Sequence, residues 1–112
     1  MSVIGFAKTP KPPYYAVIFS SQRNGAGEAD YAAAAVRMFE LAMQQPGCLG
    51  AESARDASGF GITVAYFDSE ENILLWRNHA EHATTRARGK REWYEHFEVR
   101  VAKVERAYGG PS

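Results

Sequence analysis

The chain has 112 residues, of which 46% are hydrophobic, and its 13 basic residues are balanced by 13 acidic ones. This length suits one domain with a modest core, and the apolar fraction is high enough for burial to offset chain entropy. A balanced charge provides no strong field to attract nucleic acid or an anionic membrane, so neither is expected as a partner.

The cysteine content and the first residues indicate the compartment. Cys48 is the only cysteine, which excludes an intrachain disulfide and a cysteine-based metal site. The N-terminal residues lack the apolar core of a signal peptide, and no apolar run approaches the length of a membrane span. We therefore expect a cytoplasmic protein. Residues 1–13 contain three prolines and are predicted to form an extended arm.

The first half of the chain predicts a strand, a helix and a hairpin. Residues 14–21 read YYAVIFSS, a nearly continuous apolar run that is typical of a strand covered on both faces. Residues 28–45 have helical periodicity and end at Pro46-Gly47. Residues 48–56 and 60–67 are two strands joined by a short link that contains Gly59, which indicates an antiparallel hairpin.

The second half predicts a helix and a strand. Asp68 or Ser69 can cap a helix that continues until it frays near Gly89. Its core stripe consists of Ile73, Trp76, Ala80, Ala83 and Ala87. In the last strand, which follows Trp93, apolar and charged residues alternate up to Val101. The alternation then slips, which predicts a β-bulge near residues 102–103.

The order β-α-β-β-α-β is the ferredoxin-like pattern. It predicts an α+β domain with a four-stranded antiparallel sheet and both helices on one face. The strands carry apolar residues on both faces, so the other sheet face would form a large exposed patch. A second subunit packed sheet against sheet is the simplest cover, which predicts a homodimer.

Four segments resemble the antibiotic biosynthesis monooxygenase family. They read YYAVIFSSQRN, QQPGCLGAESARD, FGITVAYFDSEENILLWRNHAEH and REWYEHFEVRVAKVERAY, and the likeness covers residues 14–108, leaving residues 109–112 as a tail. The resemblance implies a dimeric α/β barrel with a pocket between the helices and the sheet of each subunit. It also implies oxygenation of phenolic or quinol-like aromatics without a cofactor, or degradation of haem.

The haem-degrading branch of that family provides a comparison for this chain. In that branch a helix carries a Trp and, further along, a His that ligates iron. Trp76 matches the Trp, but Thr85 and Arg86 stand where the His is expected. The branch also uses an Asn on the first strand, and residues 14–21 contain none. We therefore expect no cofactor, with haem as a disfavoured alternative.

Two histidines are the candidate catalytic residues. His79 and His82 are three residues apart, so they share one side of a helix. Either can serve as a general base near neutral pH, or can be a solvated or capping residue. On a continuous helix His79 lies about 60° from Trp76 and His82 about 120°, so His79 is expected in the pocket and His82 at the surface. The pair is a weak metal signal, and we predict no metal site.

The candidate substrate-binding residues are aromatic: Trp76, Phe19, Tyr66 and Trp93. Each can instead be a plain core residue. The basic run 86–91 is either a solvated helix end or an anion-binding lip. Three functions remain open. They are a cofactor-independent monooxygenase acting on a small aromatic, a haem-binding or haem-degrading protein, and a non-catalytic dimer that binds a small apolar molecule.

Overall fold

The computed structural model describes residues 5–111. The element order is β-α-β-β-α-α-β, so the α+β, ferredoxin-like prediction is confirmed with the second helix in two pieces. The strands are β1 (Tyr14–Arg23), β2 (Cys48–Arg55), β3 (Phe60–Phe67) and β4 (Tyr94–Val104). The helices are α1 (Glu28–Met43), α2 (Glu70–Asn78) and α3 (Ala80–Glu92).

The four strands form one antiparallel sheet with the order β2-β3-β1-β4. Val17 of β1 pairs with Ala65 of β3 and with Val101 of β4. Residues paired across antiparallel strands share a sheet face, and neighbours along a strand alternate between faces. Because Val17 and Ala65 pack against the buried core, the odd-numbered residues of β1 face the helices. We call the opposite side of the sheet the open face.

The core lies between the helices and the sheet. Its buried residues are Leu41, Ala42, Phe67, Ile73 and Trp76. The Ser69 side chain caps α2 by accepting a hydrogen bond from the Asn72 amide at 3.1 Å, as its position in the sequence predicts. Gly47 lies at a positive φ of 75°, and its carbonyl accepts a hydrogen bond from the Asp68 amide. The start of α2, and with it Trp76, is thereby fixed against the turn before β2.

The prediction of one continuous second helix is wrong. His79 has φ −59° and ψ 129°, which breaks the helix between α2 and α3. The His79 side chain caps the new helix, because its Nδ1 accepts a hydrogen bond from the Glu81 amide at 3.3 Å. The predicted fraying near Gly89 is also wrong, since α3 continues to Glu92 and Gly89 is buried against the Tyr94 ring.

The irregularity in the last strand is at its beginning rather than near residues 102–103. Pairing of β1 with β4 is regular from Tyr14 opposite Val104 to Gln22 opposite His96. It shifts at Arg23, which pairs with Tyr94, so Glu95 is the extra residue. Val104 follows Val101 by three residues because it faces the open side, beside Tyr14, while Val101 faces the helices.

The open face is apolar and only partly covered. Phe60 and Ile62 are 45% and 43% exposed there. The described part of the arm lies at one end, where the Ala7 amide donates to Glu52 Oε2 at 3.0 Å. Two shallow grooves of about 360 and 310 Å³ lie on this side, beside β2 and β3. The rest of the predicted arm, residues 1–4, lies outside the described residues.

Candidate active site

Trp76 and His82 form a stacked pair beside the core. Their ring centroids are 3.9 Å apart and their planes differ by 9°. Trp76 is buried and His82 is half-buried. The break at His79 brings the two rings together, since it changes the path of the chain between α2 and α3. The expectation that His82 is a surface residue is therefore wrong, because it depended on a continuous helix.

The hydrogen bonding of His82 fixes which of its nitrogens can accept a proton. Nδ1 lies 2.9 Å from the Trp76 carbonyl oxygen. A carbonyl only accepts, so Nδ1 carries the hydrogen and the Nε2 of the neutral ring carries the lone pair. Nε2 has no hydrogen-bond partner within residues 5–111 and is not sealed from solvent. Burial lowers the pKa of His82, and the positive charge of Arg86 lowers it further, while the bond to the Trp76 carbonyl opposes the shift.

His79 is half-buried near the same indole, with its ring centroid 5.9 Å from that of Trp76. Its Nδ1 lone pair is occupied by the Glu81 amide at the start of α3. In the neutral ring the hydrogen must then be on Nε2, which leaves no free lone pair to accept a proton. The geometry thus gives His79 a capping contact and leaves His82 with the open nitrogen.

Part of the helix-facing side of β4 is not covered. Val99 and Val101 pair with Phe19 and Val17, so they face the helices, yet they are 52% and 50% exposed. We call these two valines the β4 strip. Solitary apolar side chains are often exposed, but two successive ones on the core side of a sheet leave an open apolar surface.

The orientation of α3 places His82 on the side of that helix that faces β4. Glu81 and Arg88 form ion pairs with Arg37 and Asp30 of α1, so they mark the α1-facing side of α3. At 100° per residue, His82 lies about 120° from Arg88 around the helix. Because α1 contacts β2 at one edge of the sheet and α3 contacts β4 at the other, the side away from α1 is the β4 side.

Phe19 extends the apolar surface along the sheet. Its ring centroid is 5.4 Å from that of Tyr94 and 5.6 Å from that of Phe97. Phe19 is paired with Val99 of the β4 strip. Phe19 therefore lies on the helix-facing side of the sheet, the side against which Trp76 packs. It is the next residue of β1 after Val17 on that side.

Trp93 belongs to a separate cluster at the far end of β1. It is 3% exposed, its ring contacts that of Tyr31 at 5.4 Å, and its carbonyl accepts from Arg23 Nη1 at 2.9 Å. Phe67, which packs with Trp76, pairs with Tyr15 at the other end of β1. The structure does not bring Trp93 and Trp76 together.

Sequence reasoning missed a polar network in this far cluster. Arg55 Nη2 donates to the Tyr31 hydroxyl at 2.9 Å and to Ser21 Oγ at 2.8 Å, and the Tyr94 hydroxyl donates to that of Tyr31 at 3.2 Å. Burial raises the pKa of Tyr94, with help from the Tyr31 bond. The four residues are scattered along the chain with no motif, so only the sheet register reveals that they meet.

Tyr66 lies on the open face, on the opposite side of the sheet from Trp76. Its hydroxyl donates to Glu52 Oε1 at 2.7 Å, and its ring meets the Tyr14 ring edge to face at 5.7 Å. Burial and the Glu52 carboxylate raise the pKa of Tyr66 to about 12. Tyr66 thus borders the arm rather than the β4 strip.

The residues at the haem-ligand positions are engaged with helix backbone. The Thr85 hydroxyl donates to the Glu81 carbonyl at 3.0 Å, and Arg86 Nη2 donates to the Arg77 carbonyl at 3.1 Å. Across residues 5–111 no three His, Cys, Asp or Glu side chains are grouped as metal ligands. Among the same residues, no helix has the length and apolarity to cross a membrane.

This chain is similar in sequence to a protein of Bacillus subtilis and similar in fold to several solved structures. YqjZ of Bacillus subtilis, an uncharacterised protein, is 53% identical over 100 residues, which cover 89% of this chain and 87% of YqjZ. Among solved structures, Rv0793 of Mycobacterium tuberculosis has a TM-score of 0.73 at 18% identity, covering 85% of this chain and 99% of that one. SnoaB, a cofactor-independent oxygenase from Streptomyces nogalater, has a TM-score of 0.72 at 10% identity, covering 86% and 97%.

The structural likenesses show the shared fold, while the family assignment comes from sequence. The family model named antibiotic biosynthesis monooxygenase matches residues 13–88, which is most of the chain and includes β1 through much of α3. The resemblance noted in the sequence is therefore confirmed: the chain belongs to the antibiotic biosynthesis monooxygenase family.

Proposed function

We propose that this protein is a cofactor-independent monooxygenase that acts on a small phenolic or quinol-like aromatic, with His82 as the general base. The observation that carries the proposal is the open Nε2 of His82, whose ring is stacked on the Trp76 indole and held by the Trp76 carbonyl. Family membership supports monooxygenase chemistry. The likeness to SnoaB supports the lack of a cofactor by analogy of fold.

A neutral imidazole is the right group for the first step. The lowered pKa of His82 keeps the ring unprotonated at neutral pH, so Nε2 can accept a proton from the substrate. The bond from Nδ1 to the Trp76 carbonyl fixes the ring plane and the tautomer. A flat substrate resting on Val99 and Val101 would be held near that nitrogen, and orientation of this kind accounts for much of the rate in such reactions.

The chemistry then needs only the substrate and dioxygen. His82 removes a proton from an activated CH₂ group, and the resulting carbanion transfers one electron to dioxygen. The two radicals combine to a peroxide, which takes the proton back from the imidazolium. The hydroperoxide loses its remaining C–H proton and the distal hydroxide as water, and leaves a carbonyl. One CH₂ and one dioxygen thus give one C=O and one water, with no external reductant.

The proposal includes a homodimer formed through the open face. Phe60 and Ile62 are exposed there, and Ile18 and Val64, on the same face, are half-buried. A sheet-on-sheet contact would cover these side chains and leave the helix side, with His82 and the β4 strip, free for substrate. The single free cysteine supports a reducing cytoplasm as the place of action.

Oxygen consumption tests the function. Purified protein is given an anthrone-type substrate in buffer with a metal chelator, and uptake is followed with an oxygen electrode. The expected result is one dioxygen consumed for each carbonyl product, with one atom of labelled dioxygen in that product. Binding of the substrate without oxygen uptake above the uncatalysed rate would support a non-catalytic small-molecule binder instead.

A further inference from the structure

We infer that Arg86 is a substrate-binding residue and that the substrate of this site carries an anionic oxygen group, such as a carboxylate, on its aromatic ring. This inference rests on the proposed function, since it names the class of substrate that the site beside His82 would take. It is carried by the position of Arg86, by the way its guanidinium is held, and by the distribution of ion pairs on α3.

The position of Arg86 follows from the helix geometry. Arg86 is four residues after His82, so the two side chains lie on the same side of α3. It lies about 160° around the helix from Arg88, which is paired with Asp30 of α1. Gly89, which is buried against the Tyr94 ring of β4, lies between those two directions. Arg86 therefore lies on the side of α3 away from α1, the same side as His82.

The Arg86 guanidinium makes one hydrogen bond within the described part of the chain and has N–H groups left over. Nη2 donates to the Arg77 carbonyl at 3.1 Å, close to the α2 carbonyl that His82 Nδ1 contacts. Both side chains thus reach back from α3 to the C-terminal carbonyls of α2. That single bond leaves the other N–H groups of the guanidinium available, in the planar fork that matches a carboxylate.

Arg86 has no acidic partner within residues 5–111. The ion pairs of α3 use Arg88 with Asp30 and Glu92, Arg91 with Glu92, and Glu81 with Arg37. Every acid of α3 is therefore engaged with another cation. The positive charge beside His82 is left without a counter-ion, which favours an anionic ligand over a neutral one of the same shape. Arg86 also contributes to the low pKa of His82, which places its charge near that ring.

A matched pair of ligands tests the inference. Isothermal titration calorimetry measures the affinity of the wild-type protein for a hydroxynaphthoate and for the corresponding hydroxynaphthamide, which lacks the charge. We expect the carboxylate to bind about tenfold more tightly, the effect of one charge-assisted hydrogen bond at a partly exposed site. Arg86→Gln should remove that preference and leave the affinity for the amide within about twofold.

Arg91→Gln is the control, because Arg91 is an exposed cation on the same helix and is paired with Glu92. It should retain the preference for the carboxylate. Equal wild-type affinity for the two ligands, no measurable affinity for either, or a preference that survives Arg86→Gln would overturn the inference. The proposed function has its own readout, because oxygen uptake by the wild-type protein with a neutral anthrone-type substrate would support the monooxygenase even where calorimetry shows no preference for the carboxylate.

Discussion

The imidazole of His82 lies parallel to the indole of Trp76, with ring centroids 3.9 Å apart, while its Nδ1 is held by the backbone carbonyl of that same Trp. One residue thus supplies both the face and the hydrogen-bond acceptor that fix the histidine ring. Because Nδ1 is engaged, the basic nitrogen of the neutral ring is Nε2, which is free of partners within residues 5–111.

The activity is expected to fall in acid with an apparent pKa below the ordinary histidine value of 6.5. Burial disfavours the charged ring, so His82 stays neutral to a lower pH than a solvated histidine, and kcat/KM is flat above that point. The same shift makes the folded state bind fewer protons than the unfolded one. Its stability is therefore fully present above pH 6.5 and decreases as pH falls below that value.

A profile of kcat/KM from pH 5 to 8, about one and a half units either side of the ordinary histidine pKa, measures this fall of activity in acid. The profile of His96→Gln serves as the control, because His96 is exposed on β4. An apparent pKa above 6.5 for the fall in kcat/KM would show that another group titrates.

His79 is expected to contribute to stability and little to catalysis. Its side chain caps α3, so His79→Ala should lower the free energy of unfolding by about 1 kcal/mol. His79→Asn can form the same kind of cap and should recover most of that loss. Urea unfolding followed by circular dichroism gives the stability, and oxygen uptake gives the activity. A large loss of kcat in both variants, with normal stability, would assign His79 a chemical role.

The order of the elements could be predicted from the sequence because each depends on local signals. The turn at Pro46-Gly47 and the cap at Ser69 are read from a few adjacent residues, and both are found where the pattern indicates. The site could be predicted only in part. A helical wheel drawn for one continuous helix places His82 at the surface. The helix breaks at His79, and histidine is not a usual helix-breaking residue.

The other site features depend on tertiary pairing. The faces of Phe19 and Tyr66 differ because the register of β1 with β3 places them on opposite sides of the sheet, and no periodicity in either strand distinguishes these sides. The exposure of Val99 and Val101 reflects the position of α3 relative to β4, which local sequence does not encode.

The proposed dimer predicts a specific sensitivity of the open face. Ile62→Lys places a charge in the centre of that face and should convert the dimer to monomer, because an uncompensated buried charge is strongly disfavoured in an interface. Leu74→Lys is the matched control, since Leu74 is 54% exposed on α2, on the helix side of the sheet. Sedimentation velocity at micromolar concentration measures both. A wild-type monomer, or an Ile62→Lys variant that remains dimeric, would contradict the interface.

Gly47 is expected to be required for the placement of α2. A Cβ there would overlap the side chains of Asp68 and Asn72, at a φ of 75°. Gly47→Ala should cost about 2 kcal/mol or more, while Gly25→Ala, at a φ of 83° with open space around it, should cost only the backbone strain of about 1 kcal/mol. Thermal unfolding compares the two variants. Equal losses would mean that the Asp68 and Asn72 side chains move aside without cost and that Gly47 is not required there.

The most direct test of the account is the oxygen uptake of His82→Phe. Phenylalanine can keep the stack on Trp76 but has no nitrogen to accept a proton, so the ligand site is preserved while the base is removed. With an anthrone-type substrate, we predict that kcat falls about 100-fold or more, while the substrate affinity measured under anaerobic conditions stays near that of the wild type. Oxygen uptake by His82→Phe at the wild-type rate would contradict the assignment of His82 as the base.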